Sequence, residues 1–179
     1  MRFGPRRLMK AAPLLALMAV GLAACGFSPL YAQRNGDVTA SLASIAVESP
    51  DTTLGRNLKY DLLDNLQAAG QSSSPQYVVK LSPRTYEEDV AIQQDASVTR
   101  KNIVLLVSFT LARVDEDKPL YRSIARSRTS YNRVDSEFAN IVASEDGLQR
   151  STEMVAEDIK LQLGIYFDGH KTAKRTTAE

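Results

Sequence analysis

Apolar residues recur along this chain with two different periods, and the change of period marks its elements. Leu42 to Glu48 reads as a first strand, with Leu42 or Ile45 and Val47 turned inward. Pro50-Asp51-Thr52-Thr53 is a helix start, Asp51 or a neighbouring threonine supplying the N-cap. Leu54, Leu58, Leu62, Leu66 and Ala69 then recur at helical spacing, and Gly70 is the expected C-terminal cap. Tyr77 to about Ile92 alternates as a strand. Pro83 within it predicts an edge or a bulge rather than a central position. After a polar turn at Gln93–Ala96, Arg100 to Val114 is the segment richest in strand-forming residues. Ile103, Leu105, Val107, Phe109 and Leu111 share one face, and the other face is half apolar, as in the middle of a sheet. Asp115-Glu116-Asp117-Lys118-Pro119 makes a charged turn, and Leu120 to Arg133 returns as a further strand. Val134 to Ala143 is a connection. Ser144-Glu145-Asp146 opens a second helix, which could start as early as Phe138 and carries Leu148, Thr152, Val155, Ile159, Leu163 and Tyr166. The order β-α-β-β-β-α predicts an α+β two-layer sandwich: a mainly antiparallel four-stranded sheet with two helices on one face.

The N-terminus follows neither period. Arg2, Arg6, Arg7 and Lys10 precede a run from Ala11 to Ala24 that is apolar apart from Pro13 and Gly21. That run is shorter than the roughly 20 residues a membrane-spanning helix needs. A basic start, a short apolar run and small residues form the layout of a secretory signal. The signal ends at Leu22-Ala23-Ala24-Cys25, and Cys25 is the chain's only cysteine. These four residues resemble the lipobox of bacterial lipoproteins. The resemblance implies cleavage before Cys25, a thioether lipid on its sulfur and acylation of the new N-terminus. One acyl chain binds a membrane only marginally, so several chains on one residue are needed for stable anchoring. Gly26, where an aspartate would act as a retention signal, implies delivery to the outer membrane. The boundaries that follow are a signal at 1–24, a lipidated tether at 25–37, one domain at 38–167 and a disordered polar tail at 168–179.

Removing the signal changes the charge. The whole chain has 22 basic and 21 acidic side chains, but four basic ones leave with residues 1–24. The remaining 155 residues carry 18 against 21, a formal charge of −3. Non-specific nucleic-acid binding is not expected of such a chain. No disulfide can form within it.

A catalytic constellation is not evident. His170, the single histidine, lies in the predicted tail, the one cysteine is committed to lipid, and the glycines at 70, 147, 164 and 169 are isolated. No enzyme activity, metal or cofactor is expected beyond the covalent lipid on Cys25. Charge placement says more. Lys118, Arg122, Arg126, Arg128 and Arg133 follow one another with no acid between them, and Arg122, Arg126 and Arg128 share strand parity. Arg100 and Lys101 begin the preceding strand, and Lys80 and Arg84 lie in the one before. A cationic sheet face suits an anionic partner, since guanidinium forks bind phosphate bidentately. The same pattern also describes a solvated face whose charges guard an edge against aggregation. Val104 and Leu106 on the outer face of the central strand would suit contact with a second protein wall.

Taken whole, the sequence resembles the lipopolysaccharide-assembly lipoprotein family, the lipoprotein subunit of an outer-membrane translocon. The resemblance rests on Cys25-Gly26-Phe27 with Pro29-Leu30-Tyr31 behind it and on the element order. It rests also on the stretch from Arg126-Ser127-Arg128 through Tyr131-Asn132 to Phe138-Ala139, leading into a helix that ends near Gly164-Ile165-Tyr166-Phe167. It implies a non-enzymatic protein, lipid-anchored on the periplasmic side, that plugs the lumen of a β-barrel LPS translocon protein, assists its assembly and binds lipopolysaccharide. Under it, Arg122, Arg126 and Arg128, then Arg100 and Lys101, are the candidate contacts for lipid A phosphates, and Val104 and Leu106 the candidate barrel contacts. Two other classes remain: an auxiliary lipoprotein of a phospholipid or ABC-type transport system, and a lipid-anchored hydrolase.

Overall fold

In a computed structural model, residues 36–67, 74–92, 98–116 and 118–176 are described. The signal, Cys25, Gly70 and the Gln93–Ala96 turn lie outside them. The elements run α1 (Gly36–Ala43), β1 (Ile45–Glu48), α2 (Thr53–Leu66), β2 (Tyr77–Ile92), β3 (Val98–Arg113), β4 (Pro119–Asn132) and α3 (Glu137–Thr176). The sheet order is β1-β2-β3-β4, with β1 parallel to β2 and the other two pairings antiparallel. It is therefore a mixed four-stranded sheet with its helices on one face, an α+β sandwich as the periodicity predicts.

The odd-numbered positions build the core. Leu105, Val107, Phe109 and Leu111 of β3 lie beside Val79 and Leu81 of β2 and Ala125 of β4 on one face of the sheet. The helices close over them with Leu58, Leu62 and Leu66 from α2 and Val155, Ala156, Ile159, Leu163 and Phe167 from α3. Each of the valine, leucine, isoleucine and phenylalanine side chains contributes about 1.5–3 kcal/mol when fully buried. Thr52 caps α2, its Oγ1 accepting from Gly55 N at 3.0 Å, while Asp51 pairs with Arg56 at 2.6 Å instead. The helix stops at Leu66 with Gln67 as its C-cap, before the predicted Gly70.

Three boundaries differ from expectation. Residues 36–43, split between the predicted tether and first strand, form α1, because Val38 and Leu42 bury against α3 as a helical pair four residues apart. The connection before α3 is short. Ser136 caps the helix, Ala139 N donating to its Oγ at 3.4 Å, and the side-chain amide of Asn140 pairs with both backbone groups of Val134 at 2.9 Å. Ser144 thus lies inside the helix. At the other end α3 runs on to Thr176, over residues read from sequence as a tail. Tyr77 packs on Phe167 and Tyr121 on Tyr166, each at 5.1 Å, and the His170 ring lies 4.0 Å from that of Tyr166. A helix held that firmly at its last core turn propagates cheaply, one hydrogen bond per added residue.

Between β4 and α3 the contact is polar. Thr129 Oγ1 lies 2.8 Å from Gly147 O, to which it donates, and 2.9 Å from Ser151 Oγ. Ser127 Oγ donates to Ser151 O at 3.1 Å. Gly147 allows the close approach: a Cβ there would stand 2.9 Å from Ile103 Cδ1.

Candidate functional site

All three helices pack on the odd-residue face, so among the described residues no element covers the even face. The register builds that face row by row. Glu48, Lys80, Thr110 and Arg122 stand side by side across the four strands. The next rows are Ser82-Ser108-Ile124, Arg84-Leu106-Arg126, Tyr86-Val104-Arg128 and Glu88-Asn102-Ser130. Strands are about 4.8 Å apart, so Arg84 and Arg126 have Cα atoms about 10 Å apart across Leu106.

Two of the cations here are neutralised. Lys80 lies 3.7 Å from Glu48, and Arg128 reaches diagonally over β3 to Glu88 at 3.0 Å. Arg84, Arg122 and Arg126 have no carboxylate partner among the described residues. Their apolar neighbours are Leu106, half-buried, and Ile124, 61% exposed. Where this face meets the β1 end, a depression of ≈490 Å³ is lined by Ala46, Val78, Ala112, Lys80 and Arg122, among others. Guanidinium groups over an apolar floor can bind an anion attached to hydrocarbon: fork-shaped hydrogen bonding to the oxygens, with dispersion contacts beneath.

The structure divides the residues nominated from sequence. Arg122 and Arg126 stand on this face without an ionic partner among the described residues. Arg128 shares the face but is occupied by Glu88. Arg100 lies at its far end, beside Asn132. Lys101 is not brought to the face at all. Consecutive strand residues point to opposite sides, and Lys101 bonds Glu87 at 2.9 Å beneath α3, with Asp89 at 3.8 Å. Val104 faces the uncovered side but has no exposed surface, since Tyr86 and Arg128 flank it in its row and the Arg128–Glu88 pair crosses the strand next to it. Leu106 keeps partial exposure. Arg84 and Ile124 complete the patch; parity alone could have added them, because each shares a row with a nominated residue or lies on the same strand face.

A second polar cluster sits under the start of α3. Glu87 accepts from Lys101, from Tyr131 at 3.1 Å and from Ser144 at 3.3 Å. The Lys101 bond, aided by those of Tyr131 and Ser144, holds the Glu87 carboxyl below its ordinary range, and the same bond raises Lys101. Burial, then the Glu87 bond, raises the Tyr131 phenol. This cluster ties four elements together, β2, β3, β4 and α3. Among the described residues no group of three or more His, Cys, Asp or Glu is placed to hold a metal ion. No described helix is long and apolar enough to cross a membrane.

No family model matches the chain, and no curated protein does. Solved structures share its fold. A chain named as a lipoprotein, from Caulobacter crescentus CB15, superposes with a TM-score of 0.62 at 24% identity, covering 75% of this chain and 97% of its own. A minor lipoprotein from Acinetobacter baumannii gives 0.54 at 19% identity, covering 68% and 90%. An uncharacterized lipoprotein B from Nitrosomonas europaea gives 0.55 at 13%, covering 69% and 83%.

Proposed function

We propose that this chain is a non-enzymatic lipoprotein of the lipopolysaccharide-assembly type, anchored to the outer membrane through lipid on Cys25. In this reading it occupies the lumen of the β-barrel translocon, assists assembly of that barrel and binds lipopolysaccharide in transit. The observation that carries it is the sheet face that no described element covers, where Arg84, Arg122 and Arg126 lack ionic partners among the described residues and surround Leu106 and Ile124. An amphiphile bearing phosphates on a hydrocarbon body matches that combination. The named lipoproteins of the same fold and the Leu22–Cys25 motif support the anchor.

Binding of lipopolysaccharide to the wild type and to an Arg122→Glu/Arg126→Glu double variant tests the ligand. A charge-assisted hydrogen bond contributes about 1.5–3 kcal/mol, so the double variant should bind at least 10-fold more weakly. Unchanged affinity would sink the ligand role. A tagged copy pulled from outer membranes should bring a large β-barrel, and Cys25→Ala should reduce its recovery. Recovery of an inner-membrane permease complex instead would favour an auxiliary transport lipoprotein.

A further inference from the structure

We propose that the free edge of β4 is a docking site for an extended polypeptide strand with carboxylates at alternate positions. This goes beyond the lipopolysaccharide reading and can be tested without it.

Among the described residues the sheet order leaves β4, Pro119 to Asn132, paired on one side only. Its free backbone groups can be assigned. Pro83 has no N–H to give, so its backbone faces away from β3. Its partner Val107 then points toward β4, where it pairs with Ala125. Successive strand residues alternate, so Arg122, Ile124, Arg126 and Arg128 turn their N–H and C=O groups to the free edge. Two contacts agree. Tyr77 N, of the same parity as Pro83, donates to Ser44 O on the β1 side at 3.3 Å. Ile124 O accepts from Gln162 Nε2 of α3 at 3.4 Å, which places that carbonyl outside the β3–β4 ladder.

The sheet's other long edge is blunted. Beyond Lys80, β2 has no β1 neighbour, and Pro83 sits there with its missing donor outward. On β4 no proline follows Pro119. The edge-facing backbone groups belong to the same residues whose side chains include three arginines. Residues directly opposite one another in an antiparallel pair carry side chains on the same face. A second copy of β4 would lay arginine against arginine, so self-pairing is disfavoured. An incoming strand is favoured when it places acids opposite Arg122, Arg126 and Arg128 and an apolar residue opposite Ile124. In an antiparallel strand that pattern runs acid-x-acid-x-apolar-x-acid. Arg122 and Arg126, without ionic partners among the described residues, are the stronger anchors. Main-chain bonds supply affinity and the alternate side chains supply selection.

The test uses the detergent-solubilised full chain and a labelled peptide, TETETVTET, read by fluorescence anisotropy and amide exchange. Saturable binding is expected, with exchange slowed at the N–H groups of Arg122, Ile124, Arg126 and Arg128 and not at those of Ser123, Ala125 and Ser127. TRTRTVTRT should not bind. N-methylation of alternate peptide amides on the pairing edge should weaken binding at least 10-fold, as should Ile124→Pro, which removes an edge-facing donor and leaves the ladder to β3 intact. If Ile124→Pro does not fold, the N-methylated peptide on the wild type decides. Equal binding of the methylated peptide, unaltered exchange at those four amides, or protection of them by self-association without peptide would each overturn the proposal.

Discussion

Gly55 lies in the first turn of α2, where alanine is ordinarily the better residue by about 1 kcal/mol. The structure predicts the opposite sign for Gly55→Ala. A Cβ built on Gly55 would stand 2.2 Å from the Pro50 carbonyl oxygen, 2.9 Å from Ser49 Oγ and 3.1 Å from Thr52 Oγ1. The first is a backbone atom and cannot rotate aside. Relief requires moving the Pro50–Thr52 turn by about 1 Å relative to the helix, given that nonbonded heavy atoms normally sit well beyond 3 Å apart. That turn carries the cap, through Thr52 Oγ1 to Gly55 N at 3.0 Å and Arg56 N to Thr52 O at 2.8 Å. Overpacking costs about 1–3 kcal/mol, and a weakened cap costs about 1 kcal/mol. Set against a gain of about 1 kcal/mol in propensity, the net loss is about 1–3 kcal/mol. Urea unfolding followed by circular dichroism should show a lower midpoint with an unchanged slope. A midpoint equal to or above the wild type would refute the reasoning, because propensity would then have outweighed the contact with Pro50.

Gly147→Ala should be milder. The clashing atom is Ile103 Cδ1, the end of a side chain, so a loss below about 1.5 kcal/mol is expected in the same assay. Glu87 has a folded-state pKa below its ordinary 4.5, so its stabilisation is complete above that value and is lost as pH falls through the folded pKa. Glu87→Gln should therefore reduce neutral-pH stability and flatten the acid limb of a melting-temperature profile. Asp61 has the reverse sign. Burial raises its pKa, against a Thr152 bond that lowers it, and Oδ2 has no hydrogen-bond partner among the described residues. Its charge opposes folding increasingly as pH rises from 3.8 through the folded pKa. Asp61→Asn should raise the melting temperature at pH 7 with no gain at pH 3; water screens this half-exposed residue, so the effect should stay below about 1 kcal/mol.

What could be seen in the sequence was periodic. The odd face of β3 and the stripes of α2 and α3 are read directly from spacing, because each repeats long enough to define a face. The α1 helix was hidden. Gly36 to Ala43 mixes glycine, threonine and serine, and only the burial of Val38 and Leu42 makes it helical. The extension of α3 past Phe167 follows aromatic packing of Tyr77 on Phe167 and of Tyr121 on Tyr166, pairs 90 and 45 positions apart in sequence. The cationic face was visible as shared parity of Arg122, Arg126 and Arg128. Its composition was not, because ion pairing decides which arginines remain available. Glu88 comes to Arg128 and none of the described acids comes to Arg126 through strand register, which is a tertiary property. The covering of Val104 likewise belongs to its neighbours rather than to its own position.

The hydroxyl contacts between β4 and α3 bear on how the molecule would respond to force. An apolar stripe on a 40-residue helix is nearly the same after a slide of one turn, about 5.4 Å along the axis. Hydrocarbon packing alone would oppose such a slip only weakly. Directional bonds do not translate. Ser127 and Thr129 meet Gly147 O and Ser151 at a single axial setting, and the recess left by Gly147 admits Ile103 only there. They act as a pawl, converting a smooth bearing into one fixed stop, so that a pull along α3 is transmitted to the sheet instead of being dissipated in sliding.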